Sequence, residues 1–324
     1  MTRLRLSALR NRALGLALGL CSAAVSAQQP ALGTCPPQAE PVTAEQVLVG
    51  MREGLDRGFL WRIARDGHVS YLYGTLHIAL AQWMFPGPRI VQALAASDTV
   101  ALELDMLDPD IRRRLAAGMQ ADPSERLPDT LAERLRAQLR AACLPLQVMA
   151  SLAPAVQMAA LTTLAARWDG LDPAYALDTF LSVYGRELGK TVLSLESPEL
   201  QITLLKGDPR TAQATLEHGL EQLEQGQVRP MLVRISQVWA EGREEELSRF
   251  EQWCECADTE ADRDALKHLL DERNPPIAER IEALHAAGQR VFAAVGALHM
   301  VGALGLPALL AQRGFVVQRV EFRP

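Results

Sequence analysis

The chain has no excess of positive charge. Its 324 residues carry 33 Lys and Arg against 39 Asp and Glu, a net charge of −6. Gripping nucleic-acid phosphates requires a basic surface, so that class of partner is excluded. There is no apolar run of the roughly 20 residues that a membrane-spanning helix needs. No Gly-x-Ser-x-Gly turn is present, which removes the nucleophile elbow of α/β-hydrolases. No His-Glu-x-x-His is present, which removes the common helix-borne zinc protease motif. Long repeats and low-complexity linkers are absent. Histidine is scarce, at six residues. The tryptophans Trp61, Trp83, Trp168, Trp239 and Trp253 are scattered, and read as packing residues rather than a ligand-stacking platform.

What is present begins with a leader. Arg3, Arg5, Arg10 and Arg12 form a basic start with no acid, and Ala13 to Ala24 is apolar. Val25-Ser26-Ala27 offers small residues before Gln28. Residues 1–27 therefore read as a secretory signal peptide, followed by a Pro-rich, extended lead-in over 28–44 and a single domain over 45–324. Without the leader, 29 basic residues face 39 acidic ones, no stable membrane span remains, and the expected location is periplasmic or secreted. Four cysteines remain: Cys35, Cys143, Cys254 and Cys256. An even number in an oxidising compartment suggests disulfides. Three connectivities exist. Pairing Cys254 with Cys256 is disfavoured as a strained ring, which leaves each to join Cys35 or Cys143. Cys-x-Cys as a metal motif lacks partners at zinc-finger spacing.

The hydrophobic pattern is strand-rich at both ends and helical between them. Phe59 to Ile63 and Val69 to Tyr73 flank Asp66-Gly67, a dipeptide that favours a tight hairpin. Further strands are expected at Thr99–Leu102, Thr191–Leu195, Val291–Val295 and Phe315–Val320. Leu127, Leu131, Leu135 and Leu139 recur at helical spacing. Ser197-Pro198 and Asn274-Pro275 each look like an N-cap followed by proline. The fold class is α+β or α/β: a central mixed sheet with a large helical insertion and a Gly-x-x-His motif at the C-terminal end of two strands.

Those two motifs end at His77 and His299. Gly74 and Gly296 close β-prone runs, where glycine lets the backbone turn or approach a ligand closely. A histidine three residues later projects over the strand end, where open α/β sheets place ligands. His68, His218, His268 and His285 lie in turn-like or charged helical surroundings and read as surface residues. Glu103 and Glu196 each follow an apolar strand directly. A carboxylate there must pair, bind metal or hold a perturbed pKa, because burying a lone charge is costly. Two His with one or two Glu can form a divalent-metal site or a metal-free acid/base site. A salt bridge from either Glu to Arg273 or another Arg is the alternative.

An ordered set of blocks resembles the TraB/GumN family across about residues 55 to 320. Tyr71-Leu72-Tyr73-Gly74-Thr75-Leu76-His77 is similar to its opening signature, and Ala101-Leu102-Glu103-Leu104-Asp105 to its second block. Gly170-Leu171-Asp172 and Ala176-Leu177-Asp178 fall in its middle region. Gly189 to Ser197, with Gln201, resembles the next block. Glu272-Arg273-Asn274 resembles its Arg-Asn element, and Val295 to Gly302 its closing signature. Pro275-Pro276-Ile277 departs from the basic or aromatic continuation, which leaves Asn274 readable as a helix cap alone. Asp178 reads equally as a site neighbour or a solvated helix residue.

The family is similar to erythromycin esterase-like, haem-uptake and Tiki proteins, and Tiki members resemble metal-dependent proteases of secreted peptides. Bacterial members are linked to peptide pheromone shutdown and to exopolysaccharide functions. The resemblance implies a metal-dependent hydrolase of peptidase type. His77, Glu103 and His299 would hold a divalent metal (Mn, Co or Zn), Glu196 would be a further ligand or general base, and Arg273 would stabilise negative charge. The partner would be a peptide or small molecule. Two alternatives use the same cleft: a non-enzymatic binding protein for a peptide or haem-like ligand, and an accessory factor in exopolysaccharide assembly.

Overall fold

The computed structural model describes residues 35–122 and 125–322. The expected signal peptide and the first part of the lead-in lie outside them. Residues 36–43 have no regular structure and run into a helix at Ala44–Glu53.

Six strands form one mixed sheet: β1 (Phe59–Arg65), β2 (His68–Thr75), β3 (Thr99–Leu102), β4 (Thr191–Ser194), β5 (Val291–Gly296) and β6 (Val316–Arg319), in the order β4-β3-β5-β2-β1-β6. The β1–β2 hairpin turns on Asp66 (φ 52°) and Gly67 (φ 80°), the two positive φ angles that an Asp-Gly turn supplies. β4, β3, β5 and β2 run parallel, while β1 is antiparallel to β2 and β6. Parallel strands covered on both faces read as continuous apolar runs. Val291 to Val295 of β5 are all fully buried, as are Val100 and Ala101 of β3. They share a core with Ile277, Ala278 and Ile281 of the Asn274–Ala286 helix and with Leu306 and Leu310 of the Leu306–Gln312 helix.

Leu131, Leu135 and Leu139 of the Asp129–Ala141 helix point inward, as their spacing predicts, and build a second cluster with Leu161, Leu216 and Leu220. Ser197 caps the Pro198–Lys206 helix by accepting from Leu200 N–H. Asn274 does not repeat that device. Its helix begins at Asn274 itself, with Arg273 at the cap position, and its side chain is used elsewhere. Among the described residues no helix is long and apolar enough to cross a membrane.

Two further expectations are overturned. His285 is not a surface residue: it is 1% exposed. Its Nε2 lies 3.1 Å from the Arg65 carbonyl and its Nδ1 2.9 Å from Ser70 Oγ. The ring therefore donates from Nε2 and accepts the Ser70 hydroxyl proton at Nδ1. The disulfides pair Cys35 with Cys143 and Cys254 with Cys256. Between the latter two, Glu255 takes φ 54°, and this left-handed turn folds the backbone so that the two side chains meet. Closing 108 residues restricts the unfolded chain far more than closing two. Cys143→Ser should lower the unfolding free energy by about 4–5 kcal/mol and Cys254→Ser by about 1–2. Urea denaturation without reductant reads the difference, and equal losses would contradict this account.

Candidate active site

Because four neighbouring strands are parallel, their C-terminal ends share one edge of the sheet. The chain passes from β2 to β3 and β4, then returns to lay β5 between β3 and β2. Gly74 pairs with Val295 and Thr75 with Gly296, so the two Gly-x-x-His motifs leave the sheet side by side. Glu103 follows β3, and Glu196 lies just past β4, its N–H donating to the Glu103 carbonyl at 3.1 Å. Residues 222 positions apart in the chain are thus brought together by strand pairing.

His77 is anchored from the Leu177–Glu187 helix. Leu177 N–H donates to the Leu76 carbonyl at 3.1 Å and fixes the helix start beside the strand end. Asp178, in its first turn, accepts from Thr75 Oγ1 at 2.7 Å and lies 2.8 Å from His77 Nδ1. A carboxylate can only accept, so Nδ1 carries the proton and Nε2 is turned toward Glu103 Oε1, 3.7 Å away. Desolvation in the cleft opposes charge on this ring, but Asp178, and behind it Glu103, raise it to about 9. The side chain is 62% exposed, so water screens part of that pull. The upward direction rests on the short Asp178 contact.

His299 stands in a short turn, Ala297–Met300, and is buried. Asn274 Nδ2 donates to the Leu304 carbonyl at 2.9 Å, which orients the amide and aims Oδ1 at His299 Nδ1, 2.7 Å away. The ring therefore donates from Nδ1 and keeps a lone pair on Nε2. Burial pushes its pKa down to about 4, so it is neutral at pH 7.

Glu103 Oε1 accepts Gly296 N–H at 2.7 Å and Oε2 accepts from Arg273 at 2.7 Å. Burial would push this carboxyl up; the neighbouring His77 and His299, Arg273 and the Gly296 amide outweigh it and hold it at about 2. Arg273 is 6% exposed. It forks onto Glu196 through Nε at 2.9 Å and a terminal nitrogen at 2.6 Å, and its other terminal nitrogen donates to the Leu269 carbonyl at 3.0 Å. Leu269 lies in a π-helical turn, Lys267–Asp271, a feature frequent at functional sites. Gln201 donates to the second Glu196 oxygen at 2.6 Å, so both Glu196 oxygens are engaged.

The two motif glycines differ. A Cβ on Gly296 would stand 3.1 Å from Glu103 Oε1, 3.5 Å from His299 Cδ2 and 3.7 Å from His77 Nε2. Its missing side chain opens the space that these three groups surround. A Cβ on Gly74 would instead meet Ala297, Met300 and Phe59, and the Gly74 carbonyl accepts from buried Trp239. Gly74 permits close packing and does not face the carboxylates.

Of the residues singled out from sequence, His77, Glu103, Glu196, Arg273, His299 and Gly296 form one cluster. Asp178 and Asn274, left open between site and surface, hold the two imidazoles. Among the described residues no group of three or more His, Cys, Asp or Glu is arranged so that it could hold a metal ion. The donor types, two imidazoles each gripped at Nδ1 and one carboxylate, are nevertheless ones that divalent cations accept.

The fold and site define a protein of mixed sheet and helices, of the α+β kind, with a His–Glu–Arg centre at its parallel strand ends. A sequence model of the TraB/PrgY/gumN family matches residues 59–319, and the chain belongs to that family. No curated protein and no solved structure matches it.

Proposed function

We propose that this chain is an exported, metal-dependent hydrolase acting on peptides. One observation carries the reading: His77, His299 and Glu103 surround the space above Gly296, and each imidazole is held at Nδ1 by an outer partner. Catalytic metal sites use that outer-shell arrangement to fix the ring tautomer. His77 Nε2, His299 Nε2 and Glu103 Oε1 would hold the cation, and geometry would select among Mn, Co and Zn. The cation would supply Lewis acidity, polarising a scissile carbonyl and making water a stronger nucleophile at neutral pH. Glu103, ionised far below neutrality, suits a ligand better than a base. His77 would exchange its proton for the cation, with Asp178 retaining the Nδ1 hydrogen bond. Arg273 keeps both carboxylates in place, and we assign Glu196 and Gln201 to positioning Arg273. The two disulfides support an oxidising compartment.

The test is metal uptake by the purified chain, offered Mn, Co and Zn in turn, compared with His77→Ala, His299→Ala and Glu103→Gln. Uptake by the parent that all three variants lose, with folding preserved, is the expected result. No uptake of any cation by the parent would sink the metallohydrolase reading. Asp178→Asn should weaken cation affinity by about 10–100-fold while leaving the fold intact; an unchanged titration would remove Asp178 from the site.

A further inference from the structure

A cavity of about 830 Å³ is within the size range of ligand sites. His77, Glu103 and Arg273 do not line it. Its floor is nonetheless built from the segments that carry the site. Ala81–Phe85 follows His77, Arg167–Tyr175 precedes Asp178, and the two are stitched by paired backbone hydrogen bonds between Ala79 and Asp172 at 3.0 and 3.3 Å. The cavity and the site are thus connected through these two segments.

The roof is the lead-in and the Ala44–Glu53 helix, held at several points. Cys35 is tied to Cys143. The Tyr175 hydroxyl bonds both the N–H and the carbonyl of Glu40, at 2.9 and 3.0 Å. Thr43 and Gln46 form a reciprocal capping box. Gly50 and Gly54 set the helix directly on Phe85 and Pro86, where a Cβ would collide with the Phe85 ring or come within 2.6 Å of the Pro86 carbonyl.

Two features of the lining point to a ligand. Arg167 is neutralised by Asp172 at 2.6 Å. Arg57, half-buried in the wall, has no ion pair or hydrogen bond through its guanidinium among the described residues, and burial lowers its pKa. A partly desolvated guanidinium with its fork free is matched by a carboxylate, which it binds in two parallel hydrogen bonds. Around it stand uncovered apolar side chains, with Leu55 61% and Val49 38% exposed. Glu40 and Glu45, both exposed, also line the roof.

We propose that this cavity anchors the C-terminal carboxylate of a peptide on Arg57, with its last apolar side chain against Val49, Leu55 and Phe85. The peptide identity of the ligand rests on the hydrolase reading above, and it makes the enzyme one that selects substrates by a free C-terminus.

The test is binding of a randomised heptapeptide pool with free C-termini and of the same pool amidated, to the full chain in a chelator. Retained peptides are counted by mass spectrometry. Without a cation no turnover occurs, so failure of the hydrolase reading would leave this result unchanged. The expected result is a preference of about 10–100-fold for the free acid, the gain of a charge-assisted over a neutral contact, abolished in Arg57→Met and partly kept in Arg57→Lys. Equal retention of acid and amide by the parent chain overturns the proposal without reference to any variant. So does an acid preference that persists in Arg57→Met, or no retention of either pool. If N-acetylphenylalanine binds while no peptide is retained, the site takes small carboxylates and the peptide assignment fails.

Discussion

Arg273→Met should lower the unfolding free energy by about 3–5 kcal/mol, the range for breaking a buried ion pair from one side. The side chain is almost fully enclosed, and one of its terminal nitrogens serves Glu103 and Glu196 together. Those carboxylates are themselves 8% and 2% exposed. Without the guanidinium, Glu196 keeps Gln201 and Glu103 keeps the Gly296 amide. Among the described residues, Glu196 is left with no compensating charge, and Glu103 retains only the exposed His77, 3.7 Å away. Glu103 would then take up a proton more readily and rise from its position near 2. Arg273→Lys should fall between parent and Met, because a point charge cannot reproduce the fork onto two acids. Combining Arg273→Met with Glu103→Gln and Glu196→Gln should recover much of the loss, since the charges left unpaired are then gone. Urea denaturation midpoints decide this. A single variant within about 1 kcal/mol of the parent, on the scale of an exposed pair, would mean that the triad is not the electrostatic centre described.

Much of the frame was legible because it is written in local patterns. Asp66-Gly67 marks its hairpin, Leu131, Leu135 and Leu139 mark a buried helix face, and the two glycine-histidine motifs mark the ends of strands that prove to be neighbours. The partners of the site were harder to read because they are chosen by the sheet, across long separations. His77 meets Asp178 over 101 positions and Arg273 meets Glu103 over 170. No periodicity reports such pairs, so Asp178 was indistinguishable from a solvated acid. Asn274 was obscured differently: Asn-Pro is a strong cap signal, and the side chain instead bridges His299 and Leu304. His285 carried a signal that was available. It lies four residues after Ile281 and eight after Ile277, on the same buried helical face, although its charged neighbours suggested the surface. The Cys254–Cys256 pairing depends on a positive φ at Glu255, a residue type that gives no hint of one.

Gly296→Ala should abolish cation uptake while the protein remains folded. The backbone at Gly296 has φ −47° and ψ 140°, a region open to any L-residue, so alanine introduces no conformational strain. What it introduces is a methyl group in the space bounded by Glu103 Oε1 at 3.1 Å, His299 Cδ2 at 3.5 Å and His77 Nε2 at 3.7 Å. A cation held by these groups needs that volume. Gly74→Ala is the matched control, being the same substitution in the same motif one strand over. Its methyl would press on the Ala297 backbone at 3.2 Å, Met300 at 3.3 Å and Phe59 at 3.4 Å. Overpacking of that kind costs about 1–3 kcal/mol, yet it leaves the space among Glu103, His77 and His299 free. The two variants should therefore separate in uptake: both crowd a neighbour, Gly296→Ala the Glu103 carboxylate and Gly74→Ala the Ala297 backbone, but only Gly296→Ala loses the ligand. Calorimetric titration with Mn, Co and Zn, alongside denaturation of both proteins, measures the four quantities. If Gly296→Ala still binds as the parent does, the space above Gly296 is not where a cation sits, and the histidines serve the centre without one.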